Sequence, residues 1–264
     1  MTFLKWITVL FLSCSLSVYS VTQKLKDICI PGTMHSGSYQ LYDEFSKHLS
    51  YNYTEHWSII AEENSPENPL EFLRKIHQKQ QNTVYQQLRS GIRYVEFYIS
   101  YQNHGIWRID HDLLGNLFSQ VLYDIKLFAK ENPSEILVVN VKHSTKDFLY
   151  SEELSKLIME TIGYYIYPYN GIPNPEIEKI TRSGRNIIIC MPYGYFKYSF
   201  AYWSPWIFSS QKYPYLLGNE NVFLSEHKDI KKVVNFCKEK NSYKSYQLVN
   251  FIDYLFFRPI LLRN

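Results

Sequence analysis

The sequence predicts an α/β fold, a barrel built of parallel β/α units. Three observations carry that expectation. Short β-branched runs at 27–30, 92–99, 135–142, 186–190 and 248–254 alternate with segments of helical apolar spacing at 70–88, 117–129, 151–162 and 230–238. The run 136–141 reads Ile-Leu-Val-Val-Asn-Val, apolar on nearly both faces, as a strand covered by helices requires. The length, 264 residues, suits one large α/β barrel.

Taken from the start, residues 1–20 read as a signal peptide. Lys5 precedes an apolar run at 6–18 that is interrupted by Ser13, Ser15 and Ser17 and is too short to span a bilayer. Val18 and Ser20 place small residues suitably for cleavage after Ser20. Residues 21–264 are then expected to form one secreted domain. Within it, 117–129 carries apolar residues at 117, 118, 121, 122, 125, 127 and 128, and Asn132-Pro133-Ser134 stops that helix before the next strand. The stretch 164–175, rich in Tyr, Pro, Asn and Gly, reads as a loop. No repeat or long linker divides the chain.

The net charge is +3 and no Lys/Arg run exceeds two residues, so no nucleic-acid partner is expected. Of four cysteines, Cys14 would leave with the signal, and Cys29, Cys190 and Cys237 show no CxxC spacing. That pattern argues against a disulfide framework or a zinc site. Asn52-Tyr53-Thr54 is a glycosylation sequon and predicts a glycosylated surface loop at Asn52.

Four regions, in order along the chain, carry a resemblance. They are I-P-G-T-M-H-S-G-S-Y (30–39), Q-L-R-S-G-I-R-Y-V-E-F-Y-I (87–99), I-D-H-D-L-L-G (109–115) with E-N-P-S-E-I-L-V-V-N-V-K (131–142), and V-N-F-I-D-Y (249–254). Together they resemble the catalytic X domain of phosphatidylinositol-specific phospholipase C. The resemblance implies a distorted TIM-type (β/α) barrel with its active site at the C-terminal ends of the strands. It also implies a chemistry. The inositol 2-hydroxyl attacks the adjacent phosphate as diacylglycerol leaves; one His takes the hydroxyl proton and a second protonates the leaving oxygen. An Arg in the metal-independent bacterial type, or Ca²⁺ in the eukaryotic type, stabilises the phosphate charge.

Carried over residue by residue, the resemblance implies a partly replaced site. The family's first segment usually reads P-G-T-H-D-S-G, so Met34 takes the place of the general-base His and His35 that of the Asp. Methionine accepts no proton at neutral pH. His35 supplies the base only if its loop rearranges, because a one-residue shift near a strand end turns a side chain to the other face. Otherwise it is a polar rim residue. His111 aligns with the second His, the general acid, and Asp112 follows it where the family often has Gly. His104-Gly105 is a competing match that falls before the third strand rather than after it. Glu96 aligns with an acidic residue that binds metal in the calcium-dependent type. Tyr98 occupies the next inward position, which is Arg in the bacterial type and Asp in the calcium type. Arg93 lies on the opposite parity and reads as a strand-entry or salt-bridge residue.

Lys142 aligns with a Lys that reaches the inositol phosphate region; its other reading is a solvent-facing Lys at a strand end. Met191 falls near the place of an inositol-contacting Arg. Asp253 matches the Asp that orients the general base and is a catalytic candidate on that resemblance; with Met34 opposite it has no imidazole to orient, and its other reading is structural. No cofactor is expected, and Tyr98 gives Ca²⁺ no support.

The partner implied is a phosphoinositide or glycolipid head group, with peripheral contact at a membrane surface. The 24 Tyr and 16 Phe, and the dense aromatics of 193–215 with Trp203 and Trp206, suit either an interfacial rim or rim packing. The expected function is a secreted phosphoric diester hydrolase of phospholipase C type, weakened or inactive at Met34 and Tyr98. The alternative is a non-catalytic secreted protein that binds a lipid head group, a glycan or a protein.

Overall fold

The structure is a computed structural model and describes residues 23–25, 30–192, 194, 197–203, 222–225, 235 and 249–252. The signal peptide, Cys29, Cys237, most of the helix expected at 230–238, Trp206 and Asp253 lie outside the described residues. The strands are β1 (Ile30–Thr33), β2 (Leu41–Phe45), β3 (Tyr94–Tyr101), β4 (Trp107–His111), β5 (Leu113–Leu117), β6 (Leu137–His143), β7 (Ile187–Met191), β8 (Tyr202–Trp203), β9 (Val222–Ser225) and β10 (Val249–Ile252). The helices are α1 (Tyr51–Asn64), α2 (Pro69–His77), α3 (Val84–Arg89), α4 (Phe118–Glu131), α5 (Ser151–Ile162) and α6 (Ile177–Arg182).

The predicted α/β class is present, and its parallel strands run in the order β9-β10-β1-β3-β6-β7-β8. Among the described residues no pairing joins β8 to β9, so the sheet is not closed there. Alternation along each strand sorts its side chains. Val95, Phe97 and Ile99 of β3, Val139 and Val141 of β6, and Ile187 and Ile189 of β7 face the helices. Tyr94, Val138, Ile188 and Cys190 form a second cluster on the other face with Ile30 and Tyr202.

Helix α4 covers the outer face with Phe118, Val121, Leu122, Ile125 and Phe128, the stripe that the sequence spacing predicts. Burying each of these large side chains contributes roughly 1.5–3 kcal/mol. Helix α5 adds Leu154, Ile158 and Ile162 and has the predicted bounds.

Two features depart from the expectation. The segment expected as one helix over 70–88 is two helices, because Gln78 ends α2 and a Thr83/Gln86 capping box starts α3. Between them Gln80 is buried and donates to the Met34 carbonyl at 2.9 Å. The sequon at Asn52 is exposed as expected, but it lies in the first turn of α1 rather than in a loop. The described part of the aromatic stretch takes the packing alternative, with Tyr198, Phe200 and Tyr202 all buried.

An antiparallel wing, β4-β5-β2, was not anticipated. It exists because β3 divides one edge. Tyr94 and Val95 pair with β1, whereas Ile99–Tyr101 pair antiparallel with β4. Strand β4 therefore runs back toward the end of β1 and delivers His111 there.

Candidate functional site

The site forms where β1 ends. Ser36 fixes the loop after it: its hydroxyl donates to the Thr33 carbonyl at 2.8 Å and accepts from the Glu96 amide at 3.0 Å. Its own amide donates to the Glu96 carbonyl at 2.8 Å. Gly37 lets this loop lie against β4, since a Cβ there would stand 2.5 Å from Ile109 Cδ1. In this clamped loop His35 takes a left-handed φ of 49°. The strand alternation behind its rim reading therefore does not apply, and its ring turns toward His111.

The His35 and His111 ring centroids are 3.9 Å apart, edge to face, and Tyr98 stacks on His35 at 5.4 Å. Asp112, which joins β4 to β5, has a φ of 63°. Adjacent strand residues point to opposite faces, and the left-handed turn removes that separation for His111 and Asp112. From the last turn of α2, His77 brings its Nδ1 to 3.2 Å from Asp112 Oδ2. The His77 and His111 centroids lie 6.1 Å apart. Tyr53 donates to Asp112 Oδ2 at 3.0 Å. Three imidazole nitrogens, Nδ1 of His35, Nδ1 of His111 and Nε2 of His77, are sealed from solvent without a hydrogen-bond partner among the described residues.

Burial, then the nearby Lys142 and Lys79 ammoniums, lowers His35 to about 4. Burial, then His35, lowers His111 to about 3, although Asp112 opposes this. Burial works against the Asp112 carboxylate, but His77, His111 and Tyr53 outweigh it and hold the group below its ordinary value.

A second cluster flanks Tyr98. Glu96, only 3% exposed, receives Lys142 Nζ at 2.8 Å, the Tyr94 hydroxyl at 3.0 Å and Asn140 Nδ2 at 3.2 Å. Lys142 also lies 3.2 Å from the Tyr98 hydroxyl and 4.9 Å from the ring centroid. Burial penalises this ammonium, yet Glu96 and Tyr98 together hold it above its ordinary value. The calcium site that the resemblance implies does not fit these residues. The one acidic side chain of this cluster is already neutralised by a lysine, and Tyr98 offers no hard anionic oxygen.

The structure thus brings together His35, His111, Tyr98, Lys142 and Glu96. It separates others. Met34 is partly buried and packs against the inner cluster of Ile30 and Tyr94. Met191 faces the helices, so Cys190 takes the inward place on β7 with a buried thiol. Arg93 pairs with Glu135 at 2.9 Å, in keeping with its salt-bridge reading. His77 had not been singled out; the polar run 77–83 that ends α2 was its only local signal.

No protein-family model matches the chain, and no curated protein matches it by sequence. Solved structures do. A mutant of the phosphatidylinositol-specific phospholipase C from Staphylococcus aureus is 14% identical, with 90% of each chain covered and a TM-score of 0.53. A pentafluoro-Phe-containing form of that enzyme, also 14% identical with 90% of each chain covered, has a TM-score of 0.51. The enzyme from Listeria monocytogenes is 20% identical over 87% of this chain and 73% of its own, with a TM-score of 0.48. At such identities the likeness is one of fold, and this chain has the α/β architecture of the bacterial phosphatidylinositol-specific phospholipases C.

Proposed function

We propose that this chain is a secreted protein of phospholipase C type that binds a phosphorylated inositol or glycolipid head group, with strongly weakened phosphodiester cleavage. The contact between His35 and His111 carries this reading. A base that activates the inositol hydroxyl and an acid that protonates the leaving oxygen must flank the phosphorus. Rings 3.9 Å apart leave no room for a phosphoryl group between them. Lys142, with one side open to solvent, supplies the cation for an anionic head group, and Met34 supplies no base.

The test is cleavage of phosphatidylinositol vesicles by purified residues 21–264, with and without Ca²⁺, beside liposome co-sedimentation. The expected rate is lower by about 10²–10⁴ than that of an enzyme with an intact base. Binding is expected to persist and to fall in Lys142→Ala. Rapid cleavage that disappears in His111→Ala would sink the proposal. A second reading, an active phosphodiesterase with His35 as base, is favoured by the inward turn of that ring; it requires His35→Ala to abolish turnover. Secretion is checked by N-terminal sequencing of exported protein, which should begin at residue 21.

A further inference from the structure

We propose that His77, His111 and Asp112 form a binding site for one divalent transition-metal ion of the zinc class. One ligand atom from each lies within 4.8 Å of the others. A tetrahedral zinc with bonds of about 2.0–2.1 Å sets its ligand atoms about 3.3 Å apart. His77 Nδ1 and Asp112 Oδ2 already stand 3.2 Å apart, so closure asks for the His111 nitrogen to move in from at most 4.8 Å.

The independent observation is an orphaned nitrogen: Nδ1 of His111 is sealed without a partner among the described residues. Buried polar atoms are satisfied in most proteins, and an ion is a standard explanation for those that are not. The ligand chemistry narrows the ion. Two imidazoles and one carboxylate suit zinc and its neighbours and leave a fourth position for water, whereas calcium requires oxygen ligands throughout.

The surroundings hold these ligands as an outer shell does. Tyr53 donates to Asp112 at 3.0 Å, Trp57 packs edge-on against His77 at 5.1 Å, and the Ser46 amide donates to the Asp112 carbonyl at 2.8 Å. Lys142 and Glu96 take no part, so the site is distinct from the calcium position of the family. It shares His111 with the proposed active site, but the two readings are measured separately: failure of lipid binding leaves the metal titration intact, and the reverse holds too.

The experiment uses the untagged chain, stripped with a chelator and titrated with Zn²⁺ against a chromogenic competitor, then with Co²⁺ by visible absorption. One ion per chain and a tetrahedral Co²⁺ spectrum are expected. Asp112→Asn keeps the side-chain shape in a half-exposed turn, and His77→Gln is its buried counterpart. Each should weaken Zn²⁺ by at least about 100-fold, since losses in the outer shell alone cost about 10–100-fold. Circular dichroism verifies that both variants fold. Absence of stoichiometric binding, or an Asp112→Asn variant that binds as tightly as the parent, overturns the proposal.

Discussion

Glu96 is nearly sealed from water, yet its partner Lys142 keeps 31% of its side chain exposed. The ammonium is thus held in place by a buried carboxylate while remaining open to an incoming anion. Replacing it strands a charge in the interior, whereas replacing both partners does not. Lys142→Met is expected to destabilise the chain by about 1–3 kcal/mol, and Glu96→Gln added to it should restore part of the loss. Urea denaturation of the single and double variants measures the coupling; additive losses would contradict it. Lys142 and Glu96 were singled out by the resemblance, and their inward places follow from strands whose alternation is regular. The inward turn of His35 was not legible, because it follows from a left-handed φ in a loop held by Ser36 bonding Thr33 and Ser38 bonding the His35 carbonyl, which no local pattern announces.

At the scale of elements, the break between α2 and α3 decides which side chain reaches the mouth. If 70–88 were continuous, residue 77 would be one more position in a helix. Ending α2 there places His77 beside Asp112 and frees Gln80 to hold the Met34 carbonyl. Thr83→Ala removes the capping box that restarts the chain as α3 and should cost about 0.5–2 kcal/mol by thermal or urea unfolding. Gly37→Ala pushes a methyl into Ile109 and should cost about 1–3 kcal/mol. It should also disturb the imidazole signals of His35 and His111 in NMR spectra; unchanged shifts would argue against the role given to that close approach. Helices α4 and α5 were legible because each buries a regular apolar stripe. Helix α1 was not, since Ala61 is its one buried residue and the rest is polar or half-exposed.

At the scale of the whole molecule, the depressed histidines make stability depend on pH. In the metal-free chain, His35 and His111 are neutral when folded and bind protons near 6.5 when unfolded. The unfolded state therefore takes up protons first as pH falls. Stability should be greatest above pH 6.5 and decline toward about 4 for His35 and about 3 for His111. Melting temperatures measured across that range should fall less steeply in His35→Gln, and an identical slope would refute the assignment. By itself the sequence determined the α/β class and the outer helical layer, because apolar periodicity is local; Met34 and Tyr98 as replaced positions are what the resemblance implies. Tertiary structure alone decided that His35, His77, His111 and Asp112 converge. They come from the end of β1, the end of α2 and the β4–β5 turn. Their meeting depends on two left-handed residues, one helix break and a β3 edge divided between two partners.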